Sequence, residues 1–138
     1  MSEENVEIVR RVFEAVADRD AASVLALYDA EVEIRFSPGT FADRISEASV
    51  YHGYPGLRAM HRELREAFED VATNCEELID GGDRVVSVSR YRARGRSSGI
   101  EVAGPPQYGS WAIGAGKITR VDWFDTREEA LKAAGLSE

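Results

Sequence analysis

The chain has 138 residues, 43% of them hydrophobic, and sets 17 basic against 25 acidic side chains for a formal charge of −8. That length and apolar content suit one folded domain and argue against disorder, because a chain of roughly 150 residues buries about two-thirds of its unfolded surface. The acidic excess disfavours nucleic acid and anionic membranes as partners, and no apolar run reaches the roughly 20 residues of a bilayer span. The N-terminal MSEENVEIVRR lacks the apolar core of a signal peptide, so a cytoplasmic location is expected. The single cysteine, Cys75, has no thiol partner within the chain, which leaves packing to hold the fold.

From Ser2 to about Arg19, Val6, Val9, Phe13 and Val16 recur at steps of three and four and predict an amphipathic helix, with Ser2 as its N-cap and Glu3 and Glu4 at the positive end of its dipole. Asp20 predicts the cap of a second short helix over Ala21 to Tyr28. From Glu31 the period changes to two: Val32, Ile34 and Phe36 alternate with charged residues, as in a half-buried strand that Pro38 and Gly39 end. The stretch 37–50 is long for a connection, and Phe41 and Ile45, one helical turn apart, favour a short helix within it. Gly53 and Pro55 open a third helix whose stripe runs Leu57, Met60, Leu64, Phe68 and Val71.

Residues 75–125 read as strands. The segments 75–80 and 84–94 flank Gly81-Gly82-Asp83 and predict an antiparallel hairpin, Glu101 and Val102 extend the sheet, and 107–113 pairs with 117–124 across Gly114-Ala115-Gly116. Asp125 to Glu128 has capping-box spacing before a last short helix, with Gly135 as its C-cap. No internal repeat or composition shift marks a boundary, so residues 1–138 read as a single α+β domain. Its curved, mostly antiparallel sheet takes the three helices of the N-terminal half on a concave, apolar face, and the short C-terminal helix follows the last strand.

With that order, the chain resembles the SnoaL-like proteins of the nuclear-transport-factor-two-like superfamily, relatives of polyketide cyclases, ketosteroid isomerases and limonene-epoxide hydrolases. The resemblance is carried by EIVRRVFEAVADRDAASVLALYDAEVEI, YHGYPGLRAMHRELREAF, GGDRVVSVSRYRARGRSSGIEV and GKITRVDWFDTREEALKAAGL. It implies a cone-shaped pocket, homodimerisation through the outer face of the sheet, and either simple ligand binding or acid–base chemistry without metal or organic cofactor. A homodimer is also expected from Val86, Val88, Trp111 and Ile113, which give the hairpin strands more apolar surface than short helices can cover.

Asp122 is the first candidate for chemistry. It shares strand parity with Ile118, Arg120 and Phe124, and in RVDWFD it resembles the terminal-strand acid of the epoxide hydrolases and cyclases. If that face lines the cone, burial raises its pKa and makes it a general base; if Val121 and Trp123 line it instead, Asp122 faces outward. Compared with the epoxide hydrolases, Arg84 falls on their arginine, but Val86 stands where their second aspartate would be. Ile34 falls at or near the isomerase base, with Glu33 beside it on the opposite face.

His52, in YHGYPG before the third helix, is the second catalytic candidate, placed to present an imidazole at the cone's mouth or merely to bond the turn. His61 adjoins the apolar stripe as a core-edge histidine or a ligand contact, and Tyr28, Tyr54, Trp111 and Trp123 offer aromatic lining for a hydrophobic small molecule. Arg90, Arg92, Arg94 and Arg96 alternate on one strand face and read as a solvated or interface surface. The histidines and acids show no metal-ligand spacing. Two functions remain in view: enolate chemistry on a hydrophobic carbonyl compound, or a non-catalytic module that binds a metabolite or a protein partner.

Overall fold

A computed structural model describes residues 2–40, 43–44 and 46–136. Its elements are α1 (Ser2–Ala17), α2 (Ala21–Leu27), β1 (Tyr28–Phe36), β2 (Val50–His52), α3 (Gly53–Ala67), β3 (Phe68–Asp80), β4 (Arg84–Gly95), β5 (Glu101–Ala103), β6 (Gln107–Gly114), β7 (Lys117–Phe124) and α4 (Arg127–Ala133). Seven strands form one sheet in the order β2-β1-β7-β6-β4-β3, with β5 on β4. Strands β1 and β7 run parallel, and every other pairing is antiparallel. This is the expected α+β cone. Phe41 and Ile45, on which the short helix in 37–50 was expected, lie outside the described residues.

Helix α1 begins at Ser2 itself. It buries Val9 and Val12 against the sheet, with Val6, Phe13 and Val16 packed beside them. Asp20 caps α2 as expected: one carboxylate oxygen accepts the Ser23 N–H at 3.2 Å and the other accepts the Ser23 hydroxyl at 2.6 Å. The concave core joins these helices and Leu57 of α3 to Val32, Ile34, Val85, Trp111, Ile118 and Val121, all almost fully buried.

Helix α3 stops at Ala67, and Phe68 and Val71, which continue its spacing in sequence, belong to β3. Steps of four and three from Leu64 fit a helix, but from Val71 onward half-buried Val71, Thr73 and Cys75 alternate with exposed Ala72, Asn74 and Glu76. The last cap also moves by one residue. Thr126, not Asp125, caps α4: its hydroxyl accepts the Glu129 N–H at 3.2 Å and donates to the Glu129 carboxylate at 2.8 Å. A hydroxyl can do both, whereas a carboxylate only accepts. Gly135, at φ 76°, ends α4 as predicted.

Helix α4 lies on the convex face, where Ala130 and Leu131 pack with Val86, Tyr108 and Phe124. Trp111 and Ile113 point into the concave core, and Val86 and Val88 are themselves buried. The four side chains invoked for a homodimer are therefore covered within one chain, and they supply no argument for a second copy. Among the described residues, no helix is long and apolar enough to cross a membrane.

Candidate functional site

The position of β7's side chains is set by a bulge. Ala112 pairs with Arg120 and Ile113 with Ile118, which leaves Thr119 as an extra residue on β7. The insertion resets the alternation, so Ile118, Val121 and Trp123 all join the concave core. Asp122 goes to the convex face with Arg120. There the Arg120 Nε donates to Asp122 Oδ2 at 2.8 Å and its Nη2 to Oδ1 at 3.0 Å. Asp122 does not line the interior; it is buried on the convex face, where its carboxylate is engaged by the Arg120 guanidinium.

His52 lies on the outside too. It is the residue before α3, makes no side-chain cap, is largely exposed, and stands 3.3 Å from Glu31. Glu33 is likewise on the convex face, bonded to Arg35, which holds its carboxyl below the usual range, while Ile34 faces inward. Thus the sequence candidates for acid–base work, Asp122 and His52, are both outside the cone.

Inside is a cavity of about 170 Å³ between α1, α3 and the sheet. An apolar hollow of about 150 Å³ accepts one benzene ring. Of the aromatic candidates, Tyr28, Trp111 and Trp123 line it, and so does His61. The Trp111 and Trp123 rings meet edge to face with centroids 5.6 Å apart, and Phe13 stands against Trp111 at 5.8 Å. Tyr54 does not line the cavity; its hydroxyl donates to the Tyr28 carbonyl at 3.0 Å.

The walls are mostly apolar; Ser46 and Thr73 also line them, and the other polar side chains gather at two places. On the sheet, Ser89, Tyr91 and Gln107 face the cavity together. Ser89 is 1% exposed, and its hydroxyl has no hydrogen-bond partner among the described residues. The Tyr91 hydroxyl interacts with the Gln107 side chain, and burial pushes its pKa upward, so at neutral pH it is a phenol. By contrast, the nearby Ser87 hydroxyl is engaged by Trp111 Nε1 at 2.8 Å. The sequence does contain a signal for Ser89 and Tyr91. In RVVSVSRYRAR the arginines mark one face as wet, which assigns Ser87, Ser89 and Tyr91 to the dry face.

The second polar place is on α3. The Glu63 carboxylate lines the cavity but accepts the Tyr51 hydroxyl and, at 3.1 Å, the Glu47 N–H. The His61 imidazole has no such partner among the described residues. Burial, aided by the charge of Arg65, lowers its pKa from the ordinary 6.5, so at neutral pH it is a free base. Among the described residues, no three histidine, cysteine, aspartate or glutamate side chains group as a metal site.

Residues 9–121 match the family model of the SnoaL-like domain. The chain belongs to the SnoaL-like family. Its fold is shared with an NTF2-like protein of unknown function from Burkholderia pseudomallei, 20% identical over 94% of this chain and 95% of that one, with a TM-score of 0.77. TerC, crystallised with polyporic acid, is 19% identical with a TM-score of 0.76 over 96% of this chain and 98% of its own. A protein with a ketosteroid isomerase-like fold from Catenulispora acidiphila, in complex with trimethylamine, is 16% identical with a TM-score of 0.66 over 95% of this chain and 94% of its own. These likenesses show that the SnoaL-like chain shares its fold with these proteins. No curated protein matches it in sequence.

Proposed function

We propose that this SnoaL-like protein takes a small, flat, hydrophobic carbonyl compound into the cone and exchanges a proton with it through His61. The observation that carries the reading is the Ser89 hydroxyl, buried without a partner among the described residues against a mostly apolar hollow. A buried donor left unmade costs about 1–3 kcal/mol, which a guest with an acceptor oxygen recovers. Ser89 and the Gln107 amide N–H are donors of the kind a carbonyl needs, and the aromatic walls suit a ring. That TerC was crystallised with polyporic acid supports small-molecule binding as a use of this fold.

In the proposed chemistry, the carbonyl oxygen sits on Ser89 and Gln107, and a neutral His61 removes a proton from the carbon α to the carbonyl. The electron pair of the C–H bond moves onto the oxygen, where the same donors stabilise the enolate. Return of the proton to the same or a conjugated carbon completes an exchange or an isomerisation.

A second reading, binding without turnover, is favoured by one feature: nothing among the described residues fixes the His61 ring, and catalytic bases are ordinarily oriented by a third group. Acetophenone separates the two. It should bind more tightly than ethylbenzene, its isostere without the oxygen, and in D₂O its methyl protons should wash out in the presence of the wild type but not of His61→Gln. Binding without exchange leaves the receptor reading; equal affinity for the two compounds overturns both.

A further inference from the structure

The inner cavity is not alone. A second compartment of about 320 Å³ shares the wall residues Val16, His61, Leu64 and Val71 with it and opens between the end of α1, the start of α2 and the α3–β3 junction. The imidazole of His61 therefore belongs to both spaces. Three arginines, Arg19, Arg65 and Arg96, and three acids, Asp20, Glu69 and Asp70, border the outer one.

Two of the acids face arginines, and the third caps α2 with its charge intact. Asp20 accepts from Ser23 as the cap of α2, Asp70 stands 3.6 Å from Arg94, and Glu69 stands 3.9 Å from Arg96. Arg19 and Arg65 are left with no carboxylate within ion-pair distance among the described residues, in a chain whose formal charge is −8. Arg96 is bound to this rim as well, its Nε donating to the Arg65 carbonyl. An open groove lined by Arg62, Arg65, Glu66 and Arg96 continues the basic character outward.

A helix cap and a strand bulge shape the rim. Arg19 and Asp70 have φ of 55° and 54°, a conformation that side chains other than glycine's rarely adopt, and both border this compartment. Each has a local cause: Arg19 is the left-handed cap that ends α1, with Arg19 N–H bonded to the Val16 carbonyl and Asp20 N–H to the Ala15 carbonyl, and Asp70 lies in the β3 bulge between Glu69 and Ala72. Arg65 follows His61 by four positions, one turn along α3, so a group held by Arg65 lies within one helical turn of the imidazole, on the wall the two spaces share.

We propose that the ligand is an amphipathic carboxylate, its ring and carbonyl in the inner cavity and its carboxylate in the outer compartment on Arg65 and Arg19. The proposal rests on the inner cavity being a carbonyl-binding site and adds the charge that the guest must carry.

The probes are 3-benzoylpropanoate and its neutral amide, which have the ring and ketone of acetophenone plus a short tail. Calorimetric titration at low salt should show the acid binding wild type about fivefold more tightly than the amide, the scale of one partly exposed ion pair. Arg65→Gln should bring the two to near parity while leaving the amide within about twofold of wild type. Lys132→Gln removes the same charge from α4 on the convex face and should keep the preference. Equal binding of acid and amide by wild type, or equal loss of preference in both variants, overturns the inference. If acetophenone binds and both tailed probes fail, the inference alone falls; if acetophenone fails too, the inner-cavity reading falls with it.

Discussion

Ser89→Ala separates stability from binding at a single oxygen. The hydroxyl is 1% exposed and unpartnered among the described residues, so in the empty protein it carries a desolvation cost with no compensating bond. Such a group costs about 1–3 kcal/mol; after allowing for the small void left by removing one oxygen, a gain of about 1 kcal/mol is expected for the variant. For a chain of this size that is roughly a 3–6 °C rise in Tm, read by circular dichroism. Affinity should move the other way. Loss of one neutral hydrogen bond should weaken acetophenone by about 0.5–1.5 kcal/mol, or roughly 2- to 10-fold by calorimetry, with ethylbenzene unaffected. A variant destabilised by as much as about 1 kcal/mol would mean that the hydroxyl is bonded inside the fold, and unchanged acetophenone affinity would remove it from the site.

Gly109→Ala should be costly, because its Cβ would lie 2.8 Å from both Ser87 Oγ and Trp111 Nε1 and 3.0 Å from Trp123. Losing the Trp111–Ser87 bond and overpacking the rings should cost roughly 2–4 kcal/mol by urea unfolding; under about 1 kcal/mol would mean that this wall gives way. Asp122→Asn should cost roughly 1 kcal/mol, since it disrupts a partly exposed pair with Arg120, and leave acetophenone binding and exchange at wild-type levels. Loss of either activity would return Asp122 to the site. His61 has its pKa depressed by burial in the folded chain, so below the ordinary 6.5 the unfolded chain binds a proton that the folded one does not. Wild-type stability should therefore fall as pH descends through that region, more steeply than that of His61→Gln. Parallel profiles in the two proteins would contradict a buried imidazole.

Much of the fold was legible because its periodicities are local. The stripe on α1, the Asp20 cap, the β3–β4 hairpin and the β6–β7 hairpin all stand where the spacing predicts, the last closed by Ala115 and Gly116 at φ 51° and 78°, as a two-residue turn requires. The site was harder to read because one inserted residue reverses a strand. Alternation placed Asp122 with Ile118, and the bulge at Thr119, which depends on the partner strand and leaves no mark in composition, put Ile118 with Val121 and Trp123 instead. His52 sits one residue after Tyr51 on β2, so when Tyr51 turned inward to reach Glu63 the imidazole had to face out. His61 gave only its place beside the α3 stripe, and its role at the junction of two spaces depends on β3 starting at Phe68, which the helical spacing of Phe68 and Val71 concealed.

The chain has two tryptophans, Trp111 and Trp123, and both line the inner cavity. Their indole N–H resonances in a ¹⁵N-labelled sample, followed through an acetophenone titration, test directly whether that hollow receives a ring. Both signals should move together and saturate at one dissociation constant, and ethylbenzene should move them with a weaker one. Indole signals that stay in place while acetophenone binds elsewhere, or while it does not bind at all, would contradict the account.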